Sequence, residues 1–240
     1  MLVNLIIFSS LAGLSTILGV YLIRHFENFF KKNVTFLISF AIGILLATAF
    51  FHLLPESIDL TSKGWFYWVL GAIILLYLIE HLTIIHFCQE EECEIHAMGA
   101  VSLLGIGIHS LIDGIIIGVG FKVSFIIGFL AASAVIFHET AEGIIIYTLL
   151  IKDKTTRNKA LFYSWLVALA TPFGAILTFL FIQNTSQETL GWLIAFSAGS
   201  FIYIGASDLI PETHRKYNFL NIFLVLLGII FVFVIGKFLG

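Results

Sequence analysis

Charge is what this sequence most lacks. Asp, Glu, Lys and Arg together make up 11% of its 240 residues, against about 25% in an ordinary soluble domain. So few charges cannot cover a surface that faces water. The 60% hydrophobic share excludes a disordered chain as well. Cysteine is nearly absent. Cys88 and Cys93 lie in one short segment, so no disulfide framework can hold a fold together. Proline occurs three times, too rarely for a Pro-rich linker. Basic residues are not in excess either. The net charge of −3 gives no basic patch and no nucleic-acid partner. Short alternating segments of the kind a membrane barrel needs are also missing.

What the chain does have is long, continuous apolar runs, which read as helices in a bilayer. At about 20 apolar residues per crossing, the length holds roughly eight spans with short loops. They fall near residues 2–24, 34–55, 65–87, 97–119, 124–151, 160–182, 190–211 and 218–239. The first has no basic region before it, and its charge comes afterwards at Arg24. That is not the layout of a cleaved signal peptide. With the N-terminus outside, nine lysines and arginines fall on inside loops and three on outside loops. The positive-inside rule then places both termini outside. The expectation is an integral protein of the plasma (inner) membrane, in contact with lipid throughout.

The chain repeats itself. Ile38-Ser39-Phe40-Ala41-Ile42-Gly43 matches Ile194-Ala195-Phe196-Ser197-Ala198-Gly199. At the same offset, His52-Leu53-Leu54-Pro55-Glu56-Ser57 matches Asp208-Leu209-Ile210-Pro211-Glu212-Thr213. Span two therefore pairs with span seven. An odd number of crossings separates them, so they run in opposite directions, as in inverted-repeat transporters. Spans four and five share a second pattern, His-x-x-x-acid-Gly-Ile-Ile-Ile, at His109–Ile117 and His138–Ile146. The expected fold is an all-α membrane protein of eight transmembrane helices in a 3+2+3 arrangement with inverted repeats. It forms one transmembrane domain over residues 1–240. Repeat one covers about 1–87, a loop about 88–96, the central pair about 97–151 and repeat two about 160–240.

His109 and Asp113 are four residues apart, as are His138 and Glu142, so each pair shares a helix face. Ser110 and Glu139 lie beside those faces. Ionisable groups at this depth are costly and face a protein-lined cavity rather than lipid. Antiparallel packing sets His109 level with Glu142, and Asp113 level with His138. Each level then offers one imidazole and one carboxylate, enough for one divalent-metal site or for two sites bridged by carboxylates. No lysine or arginine lies mid-membrane in these spans to balance the acids. A dication supplies that balance, and protonation of the acids is the other way to reach it. Imidazole with carboxylate suits Zn²⁺, Fe²⁺, Mn²⁺, Co²⁺ or Cd²⁺. The lack of thiolate disfavours Cu(I), and two histidines disfavour Mg²⁺ and Ca²⁺. Gly114 and Gly143 allow close helix approach.

Further candidates lie along the path. His52 and Asp208 sit near the ends of their apolar runs and are candidate pathway ligands. Pro55 and Pro211 follow three residues on and are expected to end or kink their helices. Glu56 and Glu212 then fall at opposite membrane faces. The loop Cys88-Gln89-Glu90-Glu91-Glu92-Cys93-Glu94-Ile95-His96 has no lysine or arginine. On this topology it is cytoplasmic. Cys88, Cys93 and His96 are its candidate ligands for loose metal capture, since their spacing is not that of a closed zinc site. Gly43, Ala47 and Gly199 could pack helices within one chain or between two, which would allow a homodimer.

Together these features resemble the ZIP (ZRT/IRT-like protein) family of divalent-metal transporters, over essentially the whole chain. The resemblance rests on His109-Ser110-x-x-Asp113-Gly114 and His138-Glu139-x-x-Glu142-Gly143, and on the two Leu/Ile-Pro-Glu segments that follow His52 and Asp208. It implies a binuclear centre between spans four and five, loaded with substrate metal. Zinc would be the leading substrate, with iron, manganese or cadmium as alternatives, moving toward the cytoplasm. It also implies that His109, Asp113, His138 and Glu142 are primary ligands, and that Ser110 and Glu139 complete or bridge a second position. Many members carry proline inside these motifs, where this chain has Ile112 and Ala141, so the kinks those prolines make are in question. A transporter is not an enzyme. The rival reading is an intramembrane zinc-dependent hydrolase. His138-Glu139-Thr140-Ala141-Glu142 follows the H-E-x-x-H zinc-protease helix until Glu142 replaces the second histidine.

Overall fold

A computed structural model of the chain describes residues 1–61, 63–87, 95–152, 154–214 and 218–239, without side chains at Lys31, 83–87, 95–102 and 239. Among the described residues there is no strand, and eight helices are long and apolar enough to cross a membrane. Span one is Leu2–His25. A single residue, Phe26, separates it from span two, which begins at Glu27 and continues in helical form to Leu60. Spans three to six are Trp65–Phe87, Ile95–Val123, Phe125–Lys152 and Arg157–Phe181. Span seven runs from Gln187 to His214 and span eight is Phe219–Leu239.

Burial sorts the spans into positions. Span five is 67% buried across its membrane window, whereas spans three and eight are 11% and 17% buried. Span five is therefore the central post, and spans three and eight face lipid with Leu, Ile, Phe and aromatic side chains. Spans one and four both pack on span five, and span six packs on one and four. Span eight lies on span two and span three on span seven, while span two also meets span five. Phe40 of span two meets Phe137 of span five and Phe231 of span eight edge to face, with centroids 4.8 and 5.9 Å apart.

The closest contacts are made by backbone. A methyl group added at Gly43 would strike the Val225 carbonyl and Gly228 of span eight. One added at Gly199 would strike the Val69 carbonyl and Ala72 of span three. Gly199 follows Gly43 by the 156 positions that separate the sequence repeats, and Val69 and Ala72 precede Val225 and Gly228 by the same 156. Small residues that let backbones touch are the usual packing device in a membrane, where apolar surface alone gives no preference between helix and lipid. Gly43, Gly199 and the buried Ala47 are thus spent inside one chain.

Pro55 and Pro211 do not end their helices. Each follows a widened π-helical stretch, Ala49–Leu53 in span two and Ile204–Leu209 in span seven, and the helix then resumes. Proline has no N–H for the carbonyl four residues back, here Phe51 and Ser207. A π turn re-spaces the ladder and carries the chain past that gap. Pro172 does the same to Ala168 within span six. The Ala168 carbonyl instead points at Gly13 of span one, where any side chain would collide with it.

Candidate metal centre

Spans four and five are unbroken α-helices over Ile95–Val123 and Phe125–Lys152. That agrees with Ile112 and Ala141 standing where proline would have kinked them. Straight antiparallel helices bring the two His-x-x-x-acid faces together in the expected register. His109 Nε2 lies 3.1 Å from Glu142 Oε1, and His138 Nε2 lies 2.9 Å from Asp113 Oδ2. His109 Nε2 is also 3.4 Å from Asp113 Oδ2, which joins the two levels. The two imidazole rings stand edge to face, 5.6 Å apart. One ligand atom each from His109, Asp113 and His138 falls within 4.8 Å of the others, close enough to share one ion.

Hydrogen bonding shows which atoms are free to bind. His138 Nδ1 donates to the Ala134 carbonyl at 2.9 Å. A carbonyl only accepts, so Nδ1 holds a hydrogen and Nε2 faces the site. Nε2 and Asp113 Oδ2 are then two acceptors 2.9 Å apart, an arrangement that requires a proton or a metal ion between them. Asp113 Oδ1, Glu142 Oε2 and Ser110 Oγ are buried and have no hydrogen-bond partner. An orphaned buried polar atom costs about 1–3 kcal/mol. The two carboxylates, each with one such oxygen, stand against two imidazoles and make a donor set that suits a borderline dication.

Glu139 is placed differently. It is fully buried, and its two oxygens accept from Thr16 Oγ1 of span one and, at 3.0 Å, from Thr171 Oγ1 of span six. Sequence reasoning missed both threonines. The backbones beside them touch as well: a methyl at Gly143 would strike the Thr16 carbonyl, and one at Gly114 would strike the Thr171 carbonyl. Glycine in the two motifs thus brings spans one and six close enough for their hydroxyls to reach Glu139. The repeat did not mark them, because Thr16 and Thr171 stand 155 residues apart, one short of the repeat offset.

The repeat-related pair His52 and Asp208 diverge in space. Asp208 lies within electrostatic reach of His109, Glu142 and Glu80. His52 is turned to span eight, where its ring covers Gly236 and bonds to the backbone of Val232. Tyr203 donates to Glu80 of span three at 2.5 Å, one helical turn before Asp208. Glu56 and Glu212 are half-buried after their π stretches. Cys88 and Cys93 lie outside the described residues, and His96 is described only as backbone in the first turn of span four.

The family model described as ZIP zinc transporter matches residues 1–94 and 86–236. The chain belongs to the ZIP family. Among its curated relatives, "Zinc transporter foi" of Drosophila melanogaster is 32% identical over 54% of this chain. "Zinc transporter ZIP13" of Pongo abelii is 27% identical over 73% of it. "Zinc transporter ZIP10" of Mus musculus is 30% identical over 55%. The aligned stretches cover 18%, 57% and 17% of those proteins, so this ZIP chain corresponds to only part of each relative.

Proposed function

We propose that this protein carries divalent transition-metal cations across a membrane toward the cytoplasm, with zinc the leading substrate and iron, manganese and cadmium behind it. The observation that carries the reading is the site itself. Two imidazoles and two carboxylates meet midway along spans four and five, each carboxylate keeps a buried oxygen without a partner, and no lysine or arginine of the two spans lies at that level. The names of the relatives support zinc as the first substrate to test.

His109, Asp113, His138 and Glu142 hold the first ion. The metal replaces the proton between His138 and Asp113, so loading releases a proton. A second ion draws on Ser110 Oγ and on Glu139, which must leave Thr16 and Thr171 to bind it. Asp208 and Glu212 line one approach and Glu56 the other, which His52 joins only by turning from span eight. Cys88, Cys93 and His96 receive metal on the cytoplasmic side. The halves 1–87 and 160–240 act as inverted repeats, supported by the twin π stretches and the twin glycine contacts. Movement of spans one, four, five and six against the other four then opens the site to each side in turn. The hydrolase reading loses support because Glu142, which replaces the second histidine, is paired with His109.

The test is reconstitution into liposomes loaded with a metal-sensitive dye, offering Zn²⁺, Fe²⁺, Mn²⁺ or Cd²⁺ outside. Saturable uptake is expected, and Asp113→Ala/Glu142→Ala should abolish it while the protein still folds. Equal uptake by the double variant would refute the site. No uptake despite tight metal binding would refute transport.

A further inference from the structure

A second polar site lies at the far end of the same helices. The last turns of spans one and five, the start of span two and the first turn of span six border an open cavity of about 300 Å³, at the small end of the roughly 300–1,000 Å³ of ligand pockets. Arg24, Lys152 and Arg157 line it, and among the described residues Glu27 is its single acid. Ile23, Tyr147 and Ile151 form an apolar wall, and the Thr148 side chain completes the lining. Among the described residues none of the three cations lies within ion-pair distance of a carboxylate.

The positive-inside rule accounts for basic residues near this surface, and helix dipoles account for two of them. Arg24 and Lys152 stand in the last turns of their helices, where a cation is favoured. Arg157 is the opposite case. It is the first residue of span six, a helix with no acid in its first turn and no side-chain cap from Thr156. A cation there opposes the dipole and leaves the terminal amides without a side-chain acceptor. An anion in the cavity reverses both terms. It pairs with Arg157, Arg24 and Lys152 and sets negative charge at the start of span six.

We propose that this cavity binds a phosphate group, supplied by an anionic phospholipid headgroup or by a soluble phosphate. The apolar wall that shares the cavity with the cations suits an acyl chain, and basic pockets between membrane helices bind such headgroups. The site needs only that this end of the bundle reach a membrane surface, so it stands whether or not the transport reading holds. An occupant would tie together the ends of spans one, five and six, the three helices that share Glu139, Thr16 and Thr171.

The experiment is native mass spectrometry of the purified protein from mixed phosphatidylcholine and phosphatidylglycerol, beside thermal unfolding in phosphatidylcholine with and without inorganic phosphate. Preferential retention of phosphatidylglycerol is expected. Each neutralised cation should weaken it about fivefold, so R24Q/K152Q/R157Q should lose it. K154Q/K159Q, which removes basic charge outside the cavity, should keep it. Thr148→Phe fills the cavity and spares its charges, and it should also lose retention, so the idea stays testable if the triple variant does not fold. Stabilisation by inorganic phosphate without lipid preference would name the soluble source. No lipid preference and no phosphate effect would overturn the proposal, as would equal losses in K154Q/K159Q.

Discussion

Thr16→Val is the sharpest test of how the centre is held. Valine has nearly the shape of threonine, and the Thr16 backbone that touches Gly143 is unchanged. What disappears is the hydroxyl that donates to Glu139. Both residues are fully buried, so water does not replace the lost donor. Removing one partner of a buried polar group costs about 1–3 kcal/mol, which is about a 5- to 150-fold change in an equilibrium constant. Thr171→Val should fall in the same range, since its hydroxyl serves the other oxygen at 3.0 Å. The double variant should cost less than the two singles together if Glu139 turns away once both donors are gone. Reversible denaturant unfolding in micelles measures all three, with Thr148→Val as the control. Thr148 bonds only the carbonyl of its own helix, Ile144, at 2.7 Å. If Thr16→Val matched that control, the brace on Glu139 would carry no energy and the account would fail.

Two further outcomes follow from the same geometry. Because metal displaces the proton between His138 and Asp113, affinity should fall as pH falls, by about tenfold per pH unit for each proton released. Equal zinc affinity at acidic and neutral pH, read by competition with a chelating dye, would exclude that exchange. Gly43→Ala should destabilise by about 1–3 kcal/mol because its methyl meets span eight backbone. Gly71→Ala, where nothing lies within 4 Å, should stabilise by about 0.5–1 kcal/mol, and the opposite order in unfolding midpoints would refute the packing account.

The helix count, the repeat and the pairing of His109 with Glu142 and His138 with Asp113 were legible because each depends on a period. Apolar runs of bilayer length, a fixed offset and i,i+4 spacing on antiparallel helices all leave marks along the chain. Thr16 and Thr171 left no such mark. A hydroxyl in an apolar helix usually bonds its own carbonyls, as Thr178 and Ser164 do here, and only tertiary contact shows that these two donate elsewhere. His52 and Asp208 expose the limit of repeat reasoning. Their sequence positions correspond, but a neighbouring glycine, Gly236, draws the imidazole toward span eight while the carboxylate stays near the centre. Pro55 and Pro211 were expected to end or kink their helices because the rule for proline assumes an α ladder, and the chain does not end there but changes ladder.

The brace on Glu139 also sets an order of assembly. Its first donor, Thr16, is made long before it, and its second, Thr171, is made 32 residues after it. As the chain leaves the ribosome, span five must therefore enter the bilayer with one carboxylate oxygen still waiting for a donor. The insertion machinery has to shelter that helix until span six arrives. A nascent chain halted between the two would hold an unfinished polar helix in the membrane, the kind of intermediate that quality-control proteases recognise.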